Sequence, residues 1–307
     1  MTPRWANNLA KRVIRYSVRK MPVRAKLAVL RELCSVLKIV DLSVRGEYGV
    51  LSQSPADRSA ILLTYAMTGQ WAPETNERLV AFFAGKSGTY IDIGANIGCT
   101  TIPVAQNENV DCIALEPDPS NFNYLTLNVA TNCGHGNVKL YQLAAFKERK
   151  MLQFELSSDN MGDHRIRLAD APGRIADGQF NEQNRRTIHV EAVAIDDFID
   201  AKREPVAVKI DAQGAEPFIV EGGSKLMARA HLLIMEIWPY GIARMGGSLE
   251  PIDRLLRDSF DLIHLPINDA GPPSQSMSPK EASARLVQAM RRKDDGFFYF
   301  DLVATKS

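Results

Sequence analysis

Residues 90–98 have the sequence Tyr-Ile-Asp-Ile-Gly-Ala-Asn-Ile-Gly, and this stretch decides the fold. An apolar run typical of a buried strand leads into a glycine-rich turn, after which a helix is expected to begin. Gly94 lets the backbone pass close beneath a ligand, and Gly98 lets the start of the helix pack tightly. The stretch therefore predicts a strand, a turn and a helix at the ligand-binding edge of an α/β domain.

From residue 88 onward, apolar runs alternate with helical stretches, which is the pattern of a mainly parallel sheet. The predicted strands are residues 89–93, 110–115, 138–142, 206–210, 232–236, 261–265 and 297–304. The predicted helices lie near residues 98–106, 119–131, 215–228 and 249–259. No crossover helix is expected between the last two strands, so the chain is predicted to finish in a β-hairpin. The fold class is Rossmann-like α/β, with a seven-stranded, mainly parallel sheet whose last strand is antiparallel.

Two further segments bear on the organisation of the chain. The polar residues 157–190 interrupt the alternation and are predicted to form an inserted loop or hairpin over the ligand-binding edge. The α/β domain is assigned to residues 85–307, and residues 1–84 are assigned to a helical N-terminal extension. Within this extension, Pro73 is expected to stand just inside the start of a helix.

Charge is distributed unevenly along the 307 residues. Residues 1–40 contain ten Lys and Arg but one acid, which leaves the rest of the chain with a net charge of −8. Arg12, Arg15 and Arg19 lie beside an apolar stripe that includes Trp5 and Tyr16, so a basic amphipathic helix is predicted. A helical lid or a homodimer-forming appendage is the favoured role, and peripheral membrane contact is the second. The acidic body argues against nucleic acid as a partner.

Composition is typical of a globular protein of the cytoplasm. Hydrophobic residues make up 45% and charged residues 24% of the chain, which are ordinary proportions. The four cysteines lack CxxC spacing, so neither a zinc site nor a disulfide framework is predicted, and reduced thiols suit the cytoplasm. No membrane-spanning helix is expected, because no apolar run reaches about 18 residues. A secretory signal is not expected either. The cytoplasmic face of a membrane stays an alternative because of the basic N-terminus.

Two acids bear on the ligand that the glycine-rich turn binds. Asp92 lies just before the turn, and Glu116 follows the next strand, where a carboxylate can accept both ribose hydroxyls of an adenosine. Dinucleotide sites usually have the pattern GxGxxG, whereas this chain has DxGxxxG. Asp92 repels phosphate but suits an ammonium group, so S-adenosylmethionine is favoured over a nicotinamide dinucleotide. A tight turn without any cofactor is the remaining alternative.

Three motifs resemble the FkbM family of methyltransferases. They are IDIGANIG in the turn, LEPDPSNFNYLTLNV after the second strand and VKIDAQGAEPFIVEGG around residue 211. The resemblance extends from about Gly88 to Val220 and continues more loosely to the end of the chain. It implies a methyltransferase fold and a dependence on S-adenosylmethionine. Members of the family are mostly O-methyltransferases acting on sugars and on polyketide or other secondary metabolites.

The resemblance also implies roles for individual residues. Four would surround the methionine end of the cofactor: Asp92, Gly94, Asn96 and Gly98. Glu116 would bind the ribose, and three elements would lie near the adenine: Asp118, residues 121–128 and Ala144. Asp211 and Gly214 occupy the motif that follows the fourth strand of the family. The family often has an acid where this chain has Gln213, which leaves the role of that position open.

The chemistry of methyl transfer to an alcohol benefits from a base near the hydroxyl proton. In the strand order expected for this fold, Asp211 and Glu236 end neighbouring strands at the edge where ligands bind. Two close carboxylates push one pKa upward, which suits a general base. Asp211 and Glu236 are therefore the candidates for the base or for a substrate anchor. The alternative is that Asp211 only holds the cofactor and Glu236 caps the following loop.

Substrate contacts are predicted from two segments beside this edge. Trp238 and Tyr240 follow Glu236 and offer aromatic faces for stacking on a sugar or an apolar acceptor. In the inserted segment, Asp159, Asn160 and His164 are candidates for hydrogen bonds to hydroxyl groups, unless the segment is an ordinary surface hairpin. Asp159, Asp163 and His164 could also be metal ligands, but they lack partners at a recognised spacing, so no metal site is predicted.

The sequence as a whole predicts an S-adenosylmethionine-dependent O-methyltransferase. Its acceptor is expected to be a hydroxyl on a saccharide or secondary metabolite, bound as a small molecule or as part of a glycan. A nicotinamide-dependent oxidoreductase is the first alternative, and Asp92 argues against it. A non-catalytic nucleoside-binding module is the second.

Overall fold

The computed structural model describes residues 21–55, 57, 59–157, 160–168, 185–266 and 273–306. In chain order the strands are β1 Leu42–Gly46, β2 Gly49–Gln53, β3 Gly88–Ile93, β4 Val110–Leu115, β5 Val138–Tyr141, β6 Ala144–Ala145, β7 Lys150–Leu156, β8 Arg165–Arg167, β9 Arg186–Val193, β10 Val206–Ile210, β11 Leu232–Ile237, β12 Leu262–Leu265, β13 Gln275–Met277 and β14 Phe300–Thr305. The α-helices are α1 Val23–Val36, α2 Ile61–Thr68, α3 Pro73–Phe82, α4 Thr101–Ala105, α5 Pro119–Asn132, α6 Ile195–Phe198, α7 Glu216–Gly222, α8 Ser224–Arg229, α9 Pro239–Arg244, α10 Glu250–Ser259 and α11 Pro279–Ala289.

The central sheet of the described residues has the strand order β5-β4-β3-β10-β11-β14-β12-β13. The first five of these strands are parallel, and β14 pairs antiparallel with β11 on one side and with β12 on the other. This confirms the predicted Rossmann-like α/β fold and its antiparallel last strand. The short strand β13 adds an eighth strand to the predicted seven.

Strand β3 lies in the middle of the parallel part, and all six of its residues are buried. Ile91 and Ile93 pack into the largest hydrophobic cluster on one face of the sheet, whereas Tyr90 packs with Leu79 and Phe83 on the other. A parallel strand covered on both faces needs an almost continuous apolar sequence. The single acid within β3, Asp92, must therefore find partners inside the protein.

The chain between β12 and β14 differs from the predicted hairpin finish, because it contains the helix α11. Ser278 caps this helix by accepting a hydrogen bond from the Glu281 backbone N–H, and the Glu281 side chain accepts one from the Ser278 backbone N–H. Pro279 occupies the first helical position, where its missing N–H costs nothing. The capping box and the proline are the sequence features that specify this helix.

A second sheet has the strand order β6-β9-β7-β8. Strands β7 and β9 pair antiparallel over seven register positions, from Lys150 opposite Ala192 to Leu156 opposite Arg186. The prediction of an inserted loop or hairpin for residues 157–190 was therefore incomplete, because strands on either side of this segment belong to a sheet. Strand β8 joins β7 as an edge strand, and residues 169–184 lie outside the described residues.

Part of the N-terminal extension, which was predicted to be helical, is a β-hairpin formed by β1 and β2. Two asparagines on α5 hold its second strand in place. Asn128 accepts a hydrogen bond from the Ser52 backbone N–H (2.7 Å) and donates one to the Ser52 carbonyl (2.9 Å). Asn132 makes the equivalent pair of bonds with Val50, at 2.8 and 2.7 Å. The two amides therefore satisfy backbone groups at the edge of β2, as a neighbouring strand would.

Helix α3 begins at Pro73, as predicted, and α1 and α2 are further helices of the extension. The predicted basic helix around Arg12 and Arg15 lies outside the described residues, so its role stays a prediction, as does the domain boundary at residue 84. None of the helices in the described ranges has the length and apolar character needed to cross a bilayer.

Candidate active site

A cleft opens at the carboxyl ends of β3, β4 and β10, where ligands bind in open α/β sheets. It encloses about 600 Å³, its mouth included. The sheet side contributes Gly94, Asn96, Glu116, Ala144 and Asp211 to its lining, and the opposite side contributes Met161, Gly162, His164 and Ile166. Five of the residues predicted to hold the cofactor are thus brought together around one cleft.

Gly94 lines this cleft, but it is packing within the protein that leaves no room for a side chain at this position. Its φ angle is +79°, and a Cβ atom would stand 1.9 Å from the carbonyl oxygen of Asp211. The turn is held by the N–H groups of Gly94 and Ala95, which both donate to the Leu115 carbonyl at 3.0 Å. Gly98 does not line the cleft. It packs against α5 instead, where a Cβ atom would stand 3.0 Å from Leu125. The glycines of the motif therefore bring three elements close together beneath the ligand site.

Glu116 presents a carboxylate whose two oxygens are each held by one backbone group. Oε2 accepts from the N–H of Asn96 and Oε1 from the N–H of Asp118, both at 2.9 Å. Burial raises the pKa of Glu116 to about 8. A carboxylate offers about four acceptor positions, so these two backbone bonds leave acceptor capacity for a ligand. This arrangement fits the vicinal hydroxyls of a ribose.

Asn96 adds an unsatisfied acceptor to the same wall. Its φ angle is +52°, which places the residue in the left-handed region, and its side-chain Oδ1 is buried without a hydrogen-bond partner within the described residues. A buried acceptor that lacks a donor is costly unless a ligand or water supplies one. Asn96 and Glu116 together offer a ligand several hydrogen-bond acceptors, and acceptors are what the hydroxyl and ammonium groups of S-adenosylmethionine require.

Asp92 and Asp118, both predicted to contact the cofactor, do not line the cleft. The Asp92 carboxylate is fully buried and accepts hydrogen bonds from Thr100 (2.8 Å) and Thr101 (2.7 Å). Asp118 is the N-cap of α5, because its Oδ1 accepts from the Asn121 backbone N–H at 2.8 Å. Both acids position the turn and the helix in this structure, and direct contact with a ligand stays a prediction for each.

Residues 160–168 cover the cleft, in the place predicted for the inserted segment. The Asn160 side chain caps a 3₁₀ turn by accepting from the Gly162 N–H, and the Met161 N–H donates to Asp57. His164 lines the cleft with its Nδ1 accepting from the Ser157 N–H at 2.9 Å, and burial lowers its pKa. Asp159 lies outside the described residues. Of the three polar residues predicted in this segment, His164 is the one that lines the cleft in the described part of the chain.

The side chain of Gln213, whose role was left open by the sequence motif, links Asp211 and Glu236. The Nε2 group of Gln213 donates to Asp211 Oδ1 at 2.9 Å and to Glu236 Oε1 at 3.0 Å. Its φ angle is +54°, a strained conformation for a residue other than glycine. The buried Glu216 carboxylate holds this turn by accepting from the N–H groups of Ala212 and Gly214. Asp211, but not Glu236, lines the cleft.

Lys209 supplies the positive charge beneath these acids. Its Nζ lies 3.6 Å from both Asp92 Oδ1 and Asp211 Oδ2. Burial acts to lower the pKa of Lys209, but the charges of Asp211 and Asp92 outweigh it and raise this pKa above its ordinary value. Burial, followed by the charges of Asp211 and Asp301, raises the pKa of Glu236 well above its usual range. Glu236 therefore gives up its proton less readily than an ordinary glutamic acid.

Trp238 and Tyr240 do not form the exposed aromatic surface that was predicted for the substrate. Their exposed fractions are only 4% and 2%, so neither ring presents a face to solvent. The Trp238 indole N–H donates to the Gly296 carbonyl at 2.9 Å, and the guanidinium of Arg165 lies 5.1 Å from the ring centroid. These aromatic side chains belong to the core, where Trp238 also covers Gly241. No group of three potential metal ligands is found among the described residues.

The fold and the cleft define an S-adenosylmethionine-dependent methyltransferase with a Rossmann-like domain. The family model described as "Methyltransferase FkbM domain" matches residues 92–258. The chain belongs to the FkbM methyltransferase family, which confirms the resemblance found in its three motifs. Its cofactor is S-adenosylmethionine, and the nicotinamide alternative is set aside.

Several solved structures are similar to this chain at low identity. The precorrin-6y C5,15-methyltransferase of Geobacter metallireducens has 13% identity and a TM-score of 0.37, over 76% of this chain and 88% of that one. The magnesium protoporphyrin IX methyltransferase of Synechocystis, with bound SAM, has 14% identity and a TM-score of 0.39, over 76% and 79%. An rRNA methylase of Streptococcus thermophilus has 12% identity and a TM-score of 0.40, over 77% and 97%. A search of curated proteins gives no significant match.

Proposed function

We propose that this methyltransferase transfers its methyl group to a hydroxyl oxygen of a saccharide or a secondary metabolite. The observation that carries the proposal is the bridge of Asp211, Gln213 and Glu236 at the mouth of the cofactor cleft. An alcohol is a weak nucleophile until a base takes its proton. A pair of carboxylates, one of which reaches the cleft, supplies such a base.

The roles of the residues follow from their positions. Bound S-adenosylmethionine supplies an electrophilic methyl group. Asp211 accepts the hydroxyl proton on a carboxylate oxygen while the acceptor oxygen bonds to the methyl carbon and the carbon–sulfur bond breaks. Gln213 fixes the orientation of both carboxylates through its two N–H groups. Lys209 stabilises the ionised form of Asp211 from beneath.

Residues 160–168 cover the cleft, and this cover supports the proposed chemistry. Met161, Gly162 and Ile166 close its far side, and Asn121 donates to the Met161 carbonyl at 3.1 Å, which ties the cover to α5. Excluding water strengthens the interaction of a carboxylate with its proton donor and prevents hydrolysis of the activated methyl group. The polar groups that face the cleft are therefore arranged for positioning as well as for proton transfer.

The test is methyl transfer from S-adenosylmethionine to a panel of saccharides, aliphatic alcohols, phenols and amines, with products identified by mass spectrometry. We expect methyl ethers as products. Asp211→Asn and Glu236→Gln should lower kcat and leave the affinity for S-adenosylhomocysteine nearly unchanged. The exposed Glu221→Gln is the matched control and should keep full turnover. Methylated amines alone, or undiminished kcat in both carboxylate variants, would contradict the proposal.

A further inference from the structure

The imidazole of His164, in the cover over the cofactor cleft, contains one ring nitrogen that the protein leaves unused. His164 is only 9% exposed and lines the cleft, and its Nδ1 accepts a hydrogen bond from the Ser157 backbone N–H at 2.9 Å. A ring nitrogen that accepts carries no proton, and burial lowers the pKa of His164, so the ring is neutral with its proton on Nε2. The Nε2–H group makes no hydrogen bond with any described residue. A nearly buried donor of this kind is costly unless a ligand or water accepts from it.

This donor differs from the other polar side chains that line the cleft. Glu116 and Asn96 present acceptors. The side-chain amides of Asn121 and Gln213 already donate to groups of the protein. A ligand that brings a hydrogen-bond acceptor into the covered part of the cleft therefore finds its donor in His164.

Contacts of the cover place His164 on the α5 side of the cleft. Three residues before it, the Met161 carbonyl accepts from Asn121 of α5 at 3.1 Å. After burial, the charge of Asp118, the N-cap of α5, has the largest influence on the pKa of His164. Helix α5 follows β4, whereas Asp211 follows β10, and β3 separates these two strands in the sheet. His164 and Asp211 therefore lie towards opposite ends of the cleft.

We propose that His164 recognises the adenine base of S-adenosylmethionine by donating its Nε2–H to a ring nitrogen of the base. With the methionine end over the turn at Gly94 and the ribose at Glu116, the adenine extends to the α5 side. There the lining includes the apolar Leu143 and Phe154, which suit the faces of a flat base. The ring nitrogens of adenine accept hydrogen bonds, whereas its amino group donates them.

Asp118 explains why a residue of the inserted segment takes this role. The family resemblance places Asp118 near the adenine, but its Oδ1 accepts from the Asn121 backbone N–H, and the residue does not line the cleft. His164, which was predicted to bind acceptor hydroxyls, is thereby assigned to the cofactor. The inference concerns the cofactor alone and holds for any methyl acceptor.

The experiment measures the binding of S-adenosylhomocysteine and of its 1-deaza, 3-deaza and 7-deaza analogues by calorimetry. Each analogue replaces one ring nitrogen of the adenine with C–H and keeps the shape of the base. Two variants of the full-length protein separate the two ring nitrogens of His164. His164→Asn keeps an acceptor near the Ser157 N–H but lacks the Nε2 donor, whereas His164→Gln keeps a donor near Nε2 but lacks that acceptor. His189→Asn, on an exposed residue outside the cleft, is the control, and thermal unfolding checks that each variant is folded.

We expect the wild type to bind one of the three analogues about threefold to tenfold more weakly than S-adenosylhomocysteine, as the loss of one hydrogen bond implies. His164→Asn should bind S-adenosylhomocysteine more weakly by a similar factor and should no longer discriminate against that analogue. His164→Gln should retain the discrimination, and His189→Asn should follow the wild type. Equal discrimination in the wild type and His164→Asn for every analogue would overturn the inference. Weaker binding in His164→Gln than in His164→Asn would assign His164 a structural role through Ser157 and would overturn it as well.

Nuclear magnetic resonance of the wild type labelled with ¹⁵N-histidine gives a readout that depends on no variant. The Nε2 resonance of His164 should shift when S-adenosylhomocysteine is added, and it should shift much less with the analogue that binds weakly. A resonance that does not respond to S-adenosylhomocysteine, or that responds equally to all three analogues, would contradict the assignment.

Discussion

Replacing Glu116 with alanine tests how the cofactor cleft recognises its ligand. The wild-type carboxyl is buried, and its pKa is raised to about 8. Ribose hydroxyls donate hydrogen bonds, so the ligand prefers the ionised carboxylate over the protonated form. Below about pH 8, the Glu116 carboxyl group must therefore lose a proton when the ligand binds. The affinity for S-adenosylhomocysteine should therefore rise with pH and level off above about pH 8.

The magnitude follows from the same linkage. One pH unit below the pKa weakens binding by at most about 1.4 kcal/mol, which is a factor of ten. At pH 6, two units below, the limit is about 100-fold. Loss of the charge-assisted hydrogen bonds in Glu116→Ala should cost about 1.5–3 kcal/mol of binding free energy near pH 8. The variant should also lose most of the pH dependence.

Calorimetric titration with S-adenosylhomocysteine between pH 6 and pH 9 is the assay. Two buffers with different ionisation enthalpies reveal the proton that is released on binding. The amino group of the ligand also titrates in the alkaline range, but the alanine variant retains that contribution, so the difference between the two proteins isolates Glu116. Glu221→Ala, an exposed carboxylate outside the cleft, should follow the wild type. Parallel pH profiles for wild type and Glu116→Ala would refute the ribose assignment.

Three further outcomes are expected. Gln213→Met should shift the acid limb of the pH profile of kcat/KM to higher pH, because the ionised carboxylates lose their shared donor; an unmoved limb would exclude a positioning role. Gly94→Ala should lower the free energy of unfolding in urea by about 3 kcal/mol, because the added Cβ atom is strained at a positive φ angle and overlaps the Asp211 carbonyl oxygen. The control Gly134→Ala, where a Cβ atom meets no atom within 4 Å, should change it by less than about 0.5 kcal/mol. Asp196→Ala should cost about 1 kcal/mol in thermal unfolding, since this side chain caps α8, and equal losses in the exposed Asp197→Ala would contradict that assignment.

The central strands were predictable because burial on both faces leaves a continuous apolar run. The predicted bounds of β4 and β10 are the observed ones, and those of β3 and β11 differ by one residue. Elements with weaker patterns were missed. Strands β7 and β9 lie on either side of a polar segment that was predicted to be a loop or hairpin. Helix α11 has only two large apolar residues, Leu286 and Val287, although its capping box was visible in the sequence.

The candidate site was predicted at the level of position but not of side-chain direction. The motif places Asp92 at the cleft, yet successive residues of a strand face opposite sides. Asp92 therefore shares the face of Tyr90, beneath α4, where threonines bind it. Burial of Trp238 and Tyr240 could not be inferred either, because an aromatic pair after a strand suits a core as well as a binding surface. Gln213 was singled out only as a departure from the family.

The electrostatics of the reaction centre depend on long-range neighbours that no local motif specifies. Lys209 stands opposite Asp92 in the register of β3 and β10, and three more acids surround it: Asp211, Glu236 and Asp301. One ammonium cannot balance four ionised carboxylates in a poorly solvated site, and burial together with the charges of Asp211 and Asp301 raises the pKa of Glu236. Groups coupled this strongly titrate together. Removing the charge of Asp211 should therefore lower the raised pKa of Glu236.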